Sequence, residues 1–207
     1  MKRSHAFYPW IACFFLISVL GGCITGGPSQ PSRFYTLTPL DDVKAAAQKK
    51  TGEQCVAIGV GPVEIPEYLN RAQIVTRENP HELKLAEFDR WAEPLNDNFN
   101  RVLAENLSGL CVEPVVIFPW RTPIRVDFKV EVGVIRFDGK LGENVTLIIL
   151  WGIFGEGGEK LLAAKRAVYV EPLADATYEV LVAAKSRTVS RLSRDIADEI
   201  NAILGKK

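Results

Sequence analysis

The sequence predicts an α+β fold: an antiparallel-rich mixed sheet of about five to seven strands with two main helices packed on one face. Three stretches carry this expectation. In "RVDFKVEV" (125–132), Val126, Phe128, Val130 and Val132 alternate with Arg125, Asp127, Lys129 and Glu131, the period of a strand with one buried face. In "WAEPLNDNFNRVLAENLSGL", Leu95, Phe99, Val102, Leu103 and Leu107 fall on one side of a helix of about fifteen residues. Near the C-terminus, Val182, Val189, Leu192, Ile196, Ile200 and Ile203 are spaced by seven, three, four, four and three residues, which makes one face of a long amphipathic helix.

The chain opens with Lys2 and Arg3, followed from Trp10 to Leu20 by apolar residues interrupted only by Ser18. A bilayer needs about 20 such residues. A basic start, a short apolar core and small residues at its end instead describe a secretory signal peptide. The stretch closes on Leu20-Gly21-Gly22-Cys23, similar to the bacterial lipobox, whose cysteine thiol receives a diacylglyceryl group before the chain is cut on its amino side. The alternatives are an ordinary signal peptide with an incidental Cys23, or a buried core helix. Each buried methylene of an acyl chain contributes about 0.8 kcal/mol, so two or three chains make attachment effectively permanent. Ile24, where Asp would favour the inner membrane, points to the outer membrane of a host that has one. The expected organisation is a lipoprotein signal peptide over 1–22, a lipidated N-terminus and flexible linker over 23–33, and one periplasmic α+β domain over 34–207. The linker "ITGGPSQPSR" reaches roughly 15 to 20 Å as a random coil.

Within the body, "FYTLTPL" (34–40) reads as a short edge strand, and Asp41 to Gln54 is unassigned or weakly helical. "CVAIGVGPVEIP" (55–66) is a strand that loses regularity at Gly61 and Pro62. Two β-type runs flank Asn79-Pro80 as a hairpin. Pro94 suits the first turn of the helix that follows, and Gly109 its C-terminal cap. "CVEPVVIFPW" offers another short strand. A meander then runs from the 125–132 strand through a turn at Asp138-Gly139. It continues with a strand from Val145 to Phe154, a turn at Gly155–Gly158, and a strand from Leu161 to Val170. The C-terminal helix covers roughly Asp175 to Leu204.

Removal of residues 1–22 leaves 185 of the 207 residues and a formal charge of −2, ordinary for one domain. No clustered basic surface argues for nucleic acid. Cys13 leaves with the signal peptide and lipid occupies Cys23, so Cys55 and Cys111 remain as an even pair in an oxidising compartment. A bridge between them closes a loop that the chain-entropy estimate values at roughly 4 kcal/mol; two separate buried thiols are the alternative. Each cysteine lies just before an expected strand, and parallel strands would bring such starting points to one edge of the sheet.

Catalytic patterns fail one by one. "GEGGEK" (155–160) lacks the spacing of a phosphate loop and reads as a hairpin turn. "GVGPVE" (59–64) lacks the third glycine and the helix of a dinucleotide fingerprint. His81 is the single histidine beyond the signal peptide, sits in a turn, and has no Gly-x-Ser-x-Gly partner. No enzyme activity, cofactor or metal is expected. The strand at 145–154 is apolar on both faces, so Ile148, Leu150 and Phe154 line either a partner or lipid site, or a second core layer formed by the chain's own N-terminal segment. Tyr68 and Leu69, in a loop after Pro66, are a weaker contact candidate beside simple loop packing.

Four blocks in order, "SRFYTLTP", "VAIGVGPVEIPEYLNRAQIVTR", "LAEFDRWAEPLNDNFNRVLAENL" and "YEVLVAAKSRTVSRLSRDIADEI", resemble the ABC-type transport auxiliary lipoproteins of the PqiC/YmbA-like group. The similarity runs from about Ser32 to Ile203; the pair Cys55 and Cys111 departs from it. The resemblance implies a non-enzymatic lipoprotein anchored in the outer membrane and facing the periplasm, accessory to a system that moves lipid between membranes. Its implied partners are a periplasmic tunnel protein with MCE domains (PqiB-like) and, indirectly, an inner-membrane permease and an ATPase. A ring of identical subunits around the tunnel tip, a homo-oligomer, is compatible with this role. Rival classes are a pilot lipoprotein for an outer-membrane barrel or secretin, and a lipoprotein hydrolase with an unrecognised site.

Overall fold

The alternating run at 125–132 begins a far longer strand than its period marks. In the computed structural model, which describes residues 30–39, 56–110, 114–117 and 125–205, β6 (Phe128–Lys140) carries Phe128, Val130, Val132, Val134 and Phe137 into the core. The expected turn at Asp138-Gly139 is strand instead, and the chain reverses only after Lys140. Asp138 stays in the ladder because the half-buried Arg77 and Arg136 hold its carboxylate, and at the next position only glycine fits, since a side chain there would run into Asn144 O and the Val145 backbone. β7 (Asn144–Gly155) and β8 (Lys160–Pro172) complete an antiparallel meander. The "GEGGEK" segment is its second turn, with Glu156, Gly157 and Gly158 at φ of 53°, 75° and 99°.

On the other side of β6 the sheet becomes parallel. β2 (Val56–Glu64) pairs with β6, and β5 (Pro114–Ile117) pairs with β2, giving the order β5-β2-β6-β7-β8. The irregularity expected at Gly61 and Pro62 is a register shift between Val60 and Val63, with a cis bond before Pro62. β1 (Arg33–Tyr35), β3 (Gln73–Asn79) and β4 (Glu82–Trp91) form a separate three-stranded sheet, so the expected single sheet is two. β3 and β4 are the expected hairpin, and His81 sits in its turn, its backbone N–H donating to Asn79 Oδ1 at 2.9 Å.

α1 (Leu95–Leu110) buries Leu95, Phe99, Val102, Leu103 and Leu107 completely, as the stripe requires. Pro94 stands just ahead of the first turn, its carbonyl accepting from Asn98 N, and Gly109 lies inside the helix rather than capping it. α2 (Tyr178–Leu204) starts at Thr177, whose hydroxyl accepts from Val180 N, one of the ordinary ways to satisfy an unpaired first-turn donor. Its serines fold their hydroxyls back onto the preceding turn, Ser186 to Val182 O and Ser193 to Val189 O. Small, internally satisfied side chains there let Asn106 of α1 reach Ser193 Oγ at 3.0 Å. The helices pack on each other and on the sheet, α1 against β2 and β5 and α2 against β7 and β8, around one hydrophobic core. Residues 32–207 are one compact unit, and among the described residues no helix is long and apolar enough to cross a membrane.

The N-terminal strand is tied into this body by side chains. Asp89 of β4 accepts from Arg33 Nη2 at 3.1 Å and Tyr35 OH at 2.8 Å. Buried Asn98 accepts from Leu37 N at 2.6 Å and donates to Thr36 Oγ1 and Glu93, while Ser186 accepts from Thr38 N. Asn98→Ala removes all three bonds and strands a buried N–H, a cost of about 1–3 kcal/mol. Hydrogen exchange is the check: amides of residues 33–38 should lose protection while those of β6 and β7 keep it.

Candidate interaction surface

Because side chains alternate along a strand, β7 sends Val145, Leu147, Ile149, Trp151 and Ile153 to the helices and its other residues to the opposite, outer face. The register extends that face across the meander: Gly133–Leu150–Arg166, Glu131–Gly152–Ala164 and Ile148–Val168 stand in rows. Leu150 is 50% exposed, Ile148 and Phe154 are half-buried. Around them Ile135, Leu161, Val168 and Val170 are between 47% and 53% exposed. Among the described residues none covers Leu150 or Val168; residues 1–29 and 40–55, from which an own-chain layer would come, lie outside the described residues, and both sequence alternatives for this face stand. An apolar patch of this kind is the sort of surface that interaction sites use.

Part of the face is concave. A depression of about 530 Å³ has Gly133, Gly152 and Ala164 in its floor and Leu150, Phe154 and Leu161 as walls. Phe154 and Leu161 lean over Gly152, where a Cβ would meet Phe154 Cε2 at 3.2 Å, whereas a Cβ at Gly133 would meet only Leu150 O, at 3.9 Å. Arg166 stands on the rim and, among the described residues, has no ion-pair partner; neighbouring Lys165 points to the helix side and pairs with Glu199 at 2.6 Å. Alternation in "KLLAAKRAVYVEP" is apolar in both phases, so the sequence does not say which residues of β8 face outward.

The other sequence candidates fare differently. Leu69 is 1% exposed and belongs to the core, so it offers no contact surface. Tyr68 is half-buried and donates its hydroxyl to Asp138 Oδ2 at 3.3 Å. Loop packing, the alternative for this pair, describes both. Cys23, Cys55 and Cys111 lie outside the described residues, but β2 and β5 are parallel neighbours with Val56 opposite Pro114.

Besides Asp89 of β4, two buried charges that the sequence reading did not single out are Asp138 and Lys185. Asp138, with no exposed side-chain area, accepts from Arg77 Nη2 at 2.8 Å and Nε at 3.0 Å, from Arg136 Nε at 2.7 Å and from Tyr68, joining the small sheet to the large one. Burial by itself raises the Asp138 carboxyl, but the hydrogen bonds and charges of Arg77 and Arg136 outweigh it and hold it below its ordinary value. Lys185 of α2 is 1% exposed. Its ammonium donates to Phe137 O at 2.5 Å and lies 4.0 Å from the Phe137 ring centre and 5.8 Å from that of Trp91. Burial pushes it down to about 7, against the raising charge of Asp138. Both groups are enclosed and structural. Among the described residues no three His, Cys, Asp or Glu side chains gather as a metal site.

An α+β body with helices packed on one face of the sheet is a fold seen in solved structures. It superposes on the crystal structure of an uncharacterized protein at TM-score 0.68, with 21% identity over 83% of this chain and 99% of that one. A second, protein XCC0632 from Xanthomonas campestris, of the DUF330 family, gives TM-score 0.59 and 16% identity over 79% and 92% of the two chains. At these identities the likeness is one of fold. The chain belongs to the family described as the ABC-type transport auxiliary lipoprotein component, which it matches over residues 35–197. It is thereby an auxiliary lipoprotein of ABC-type transport. No match is found among functionally curated proteins.

Proposed function

We propose that this protein is a non-enzymatic, outer-membrane-anchored periplasmic lipoprotein that docks the tunnel protein of an MCE/ABC-type intermembrane lipid transport system. Membership of the auxiliary family over residues 35–197 carries the proposal. The sequence supplies the anchor: a basic, short apolar leader ending on Leu20-Gly21-Gly22-Cys23, with Ile24 behind it. The docking surface in this reading is the apolar outer face around Ile148, Leu150 and Phe154, and the exposure of Leu150 supports it. In this reading the permease and ATPase provide the energy, and this chain provides position. A bridge between Cys55 and Cys111 is part of the proposal, supported by the parallel pairing of the strands that follow them.

The test is to express wild type and Cys23→Ala in the native host, fractionate both membranes, and photo-crosslink from position 150. The expected result is wild type in the outer membrane with an MCE-domain protein as neighbour, and loss of that location in the variant. A wild type free of membranes removes the anchor. A barrel or secretin as sole neighbour replaces the transport role by a pilot role.

A further inference from the structure

β8 is thirteen residues long and stands at the end of its sheet, and among the described residues it pairs only with β7. A long edge strand with an apolar face is a template for another strand, which proteins that do not use it normally blunt with short length, proline or bulges. Here the protection lies at the two ends: a bulge at Leu162, which the pairing with β7 skips, and at the other end Pro172 and Arg191 of α2, which donates to Val170 O at 3.2 Å and holds Glu171 with Arg187. Between them, from Ala163 to Tyr169, no strand among the described residues pairs with the edge.

We propose that the β8 edge accepts an extended segment of another protein as an added strand, and that the segment carries an acidic residue opposite Arg166 and a large apolar residue two positions away, opposite Ala164. The charge requirement comes from Arg166, which stands on the outer face beside Leu150 without an ion-pair partner among the described residues. Opposite charges directly across two strands stabilise the pairing, and like charges destabilise it. The size requirement comes from the neighbouring row. Ala164 and Gly152 are too small to fill the space beside them, so a large side chain opposite Ala164 reaches across it into the depression walled by Leu150, Phe154 and Leu161. Added strands of this kind take affinity from backbone hydrogen bonds and specificity from pockets for alternate side chains.

The same charge selects against a second copy. Arg166 is the midpoint of β8, so two-fold pairing of β8 with itself sets Arg166 against its own counterpart, and sliding the register slightly sets it against Lys165. A partner strand of different sequence has no such conflict.

This inference deepens the docking role proposed above and rests on it. Its assay reads strand addition directly, whereas the Cys23→Ala fractionation reads the anchor, so each can fail without the other. Full-length lipidated protein in nanodiscs is titrated with fluorescein-labelled nine-residue peptides of threonine and valine. One carries a phenylalanine and a glutamate two positions apart, and the other has lysine in place of the glutamate. The glutamate peptide is expected to bind at least tenfold more tightly and to protect alternate amides between Ala163 and Tyr169 from hydrogen exchange. Arg166→Glu, on an exposed side chain with no ion-pair partner among the described residues, should invert the preference. Ala164→Leu, which occupies the entrance to the depression, should erase the gain from phenylalanine. Equal binding of the two peptides, or binding without β8 protection, overturns the proposal. Protection that appears before peptide is added also overturns it: dependence on protein concentration identifies a second copy, and independence identifies the lipid surface.

Discussion

Asp138→Ala is expected to destabilise the protein by about 3–5 kcal/mol, the cost of removing one partner from a buried ion pair. The carboxylate has no exposed area, and its removal leaves Arg77, whose side chain is 20% exposed, and Arg136 facing each other without an anion. The loss also detaches the hairpin from β6, because Arg77 is on β3 and Tyr68 on the loop before it. Urea unfolding should show the midpoint falling, with hydrogen exchange rising first in β3. Asp138→Asn should recover little, since an amide keeps the shape but not the charge that two guanidiniums require. The pH dependence has a definite sign. A carboxyl whose folded pKa lies below its unfolded value of about 4 contributes stability that is complete above that value and lost as pH falls toward the folded one. Wild type should therefore lose stability more steeply than Asp138→Ala as pH falls below about 4.

Lys185 has the opposite balance and predicts a rise in stability with pH. Its folded pKa, about 7, lies below the unfolded 10.5. Between those values the unfolded chain binds the proton and the folded chain does not, so the free energy of unfolding increases by about 1.4 kcal/mol per pH unit. The measurement is urea unfolding from pH 7.5 to 9.5, where wild type should gain roughly 2–3 kcal/mol from this group and Lys185→Met should lack that gain. The upper limit of the scan matters. Burial and a hydrogen bond to Asp89 push Tyr35 up to about 12, and burial with Asp195 raises Tyr169 further. Above the ordinary tyrosine value of about 10 the unfolded chain releases those protons first, and stability turns downward. A wild-type slope equal to that of Lys185→Met would mean that the carbonyl of Phe137 and the two rings keep the ammonium charged.

How far the fold was legible depends on whether a residue's role is set by its neighbours in sequence. The two helices and the first strand of the meander follow from spacing, because period 3.6 and period 2 each require one buried face; the other two strands follow from apolar runs bounded by glycine-rich turns. The hairpin at Asn79-Pro80 and the break at Gly61-Pro62 follow from local backbone chemistry. The ends of elements were less legible. Asp138-Gly139 carries a turn signature, yet Asp138 is held in the ladder by Arg77, which lies sixty-one residues earlier. Gly109 has the look of a cap, but its place inside α1 is set by packing. Division into two sheets was not legible at all, since hydrogen-bond partnership between strands leaves no mark on either strand's own pattern.

The surface divides in the same way. That the strand at 145–154 is apolar on two faces is a fact of sequence, and it is what draws notice to Ile148, Leu150 and Phe154. Which companions surround them was decided by register: Gly133, Gly152 and Ala164 become a floor, and Arg166 a rim, only when three strands align. Leu69, which looked like a loop contact, is drawn into the core by the turn after Pro66, where Leu69 N donates to Pro66 O. By itself the sequence determined the element types and the family, and it supplies the expectation of a leader ending on Cys23, because each rests on short-range pattern or on ordered blocks along the chain. Only the tertiary structure decided which charges are buried, which apolar face is turned away from the helices and which strand is left at the edge. Those properties belong to pairs of residues far apart in the chain, and their energies exist only once folding has brought them together.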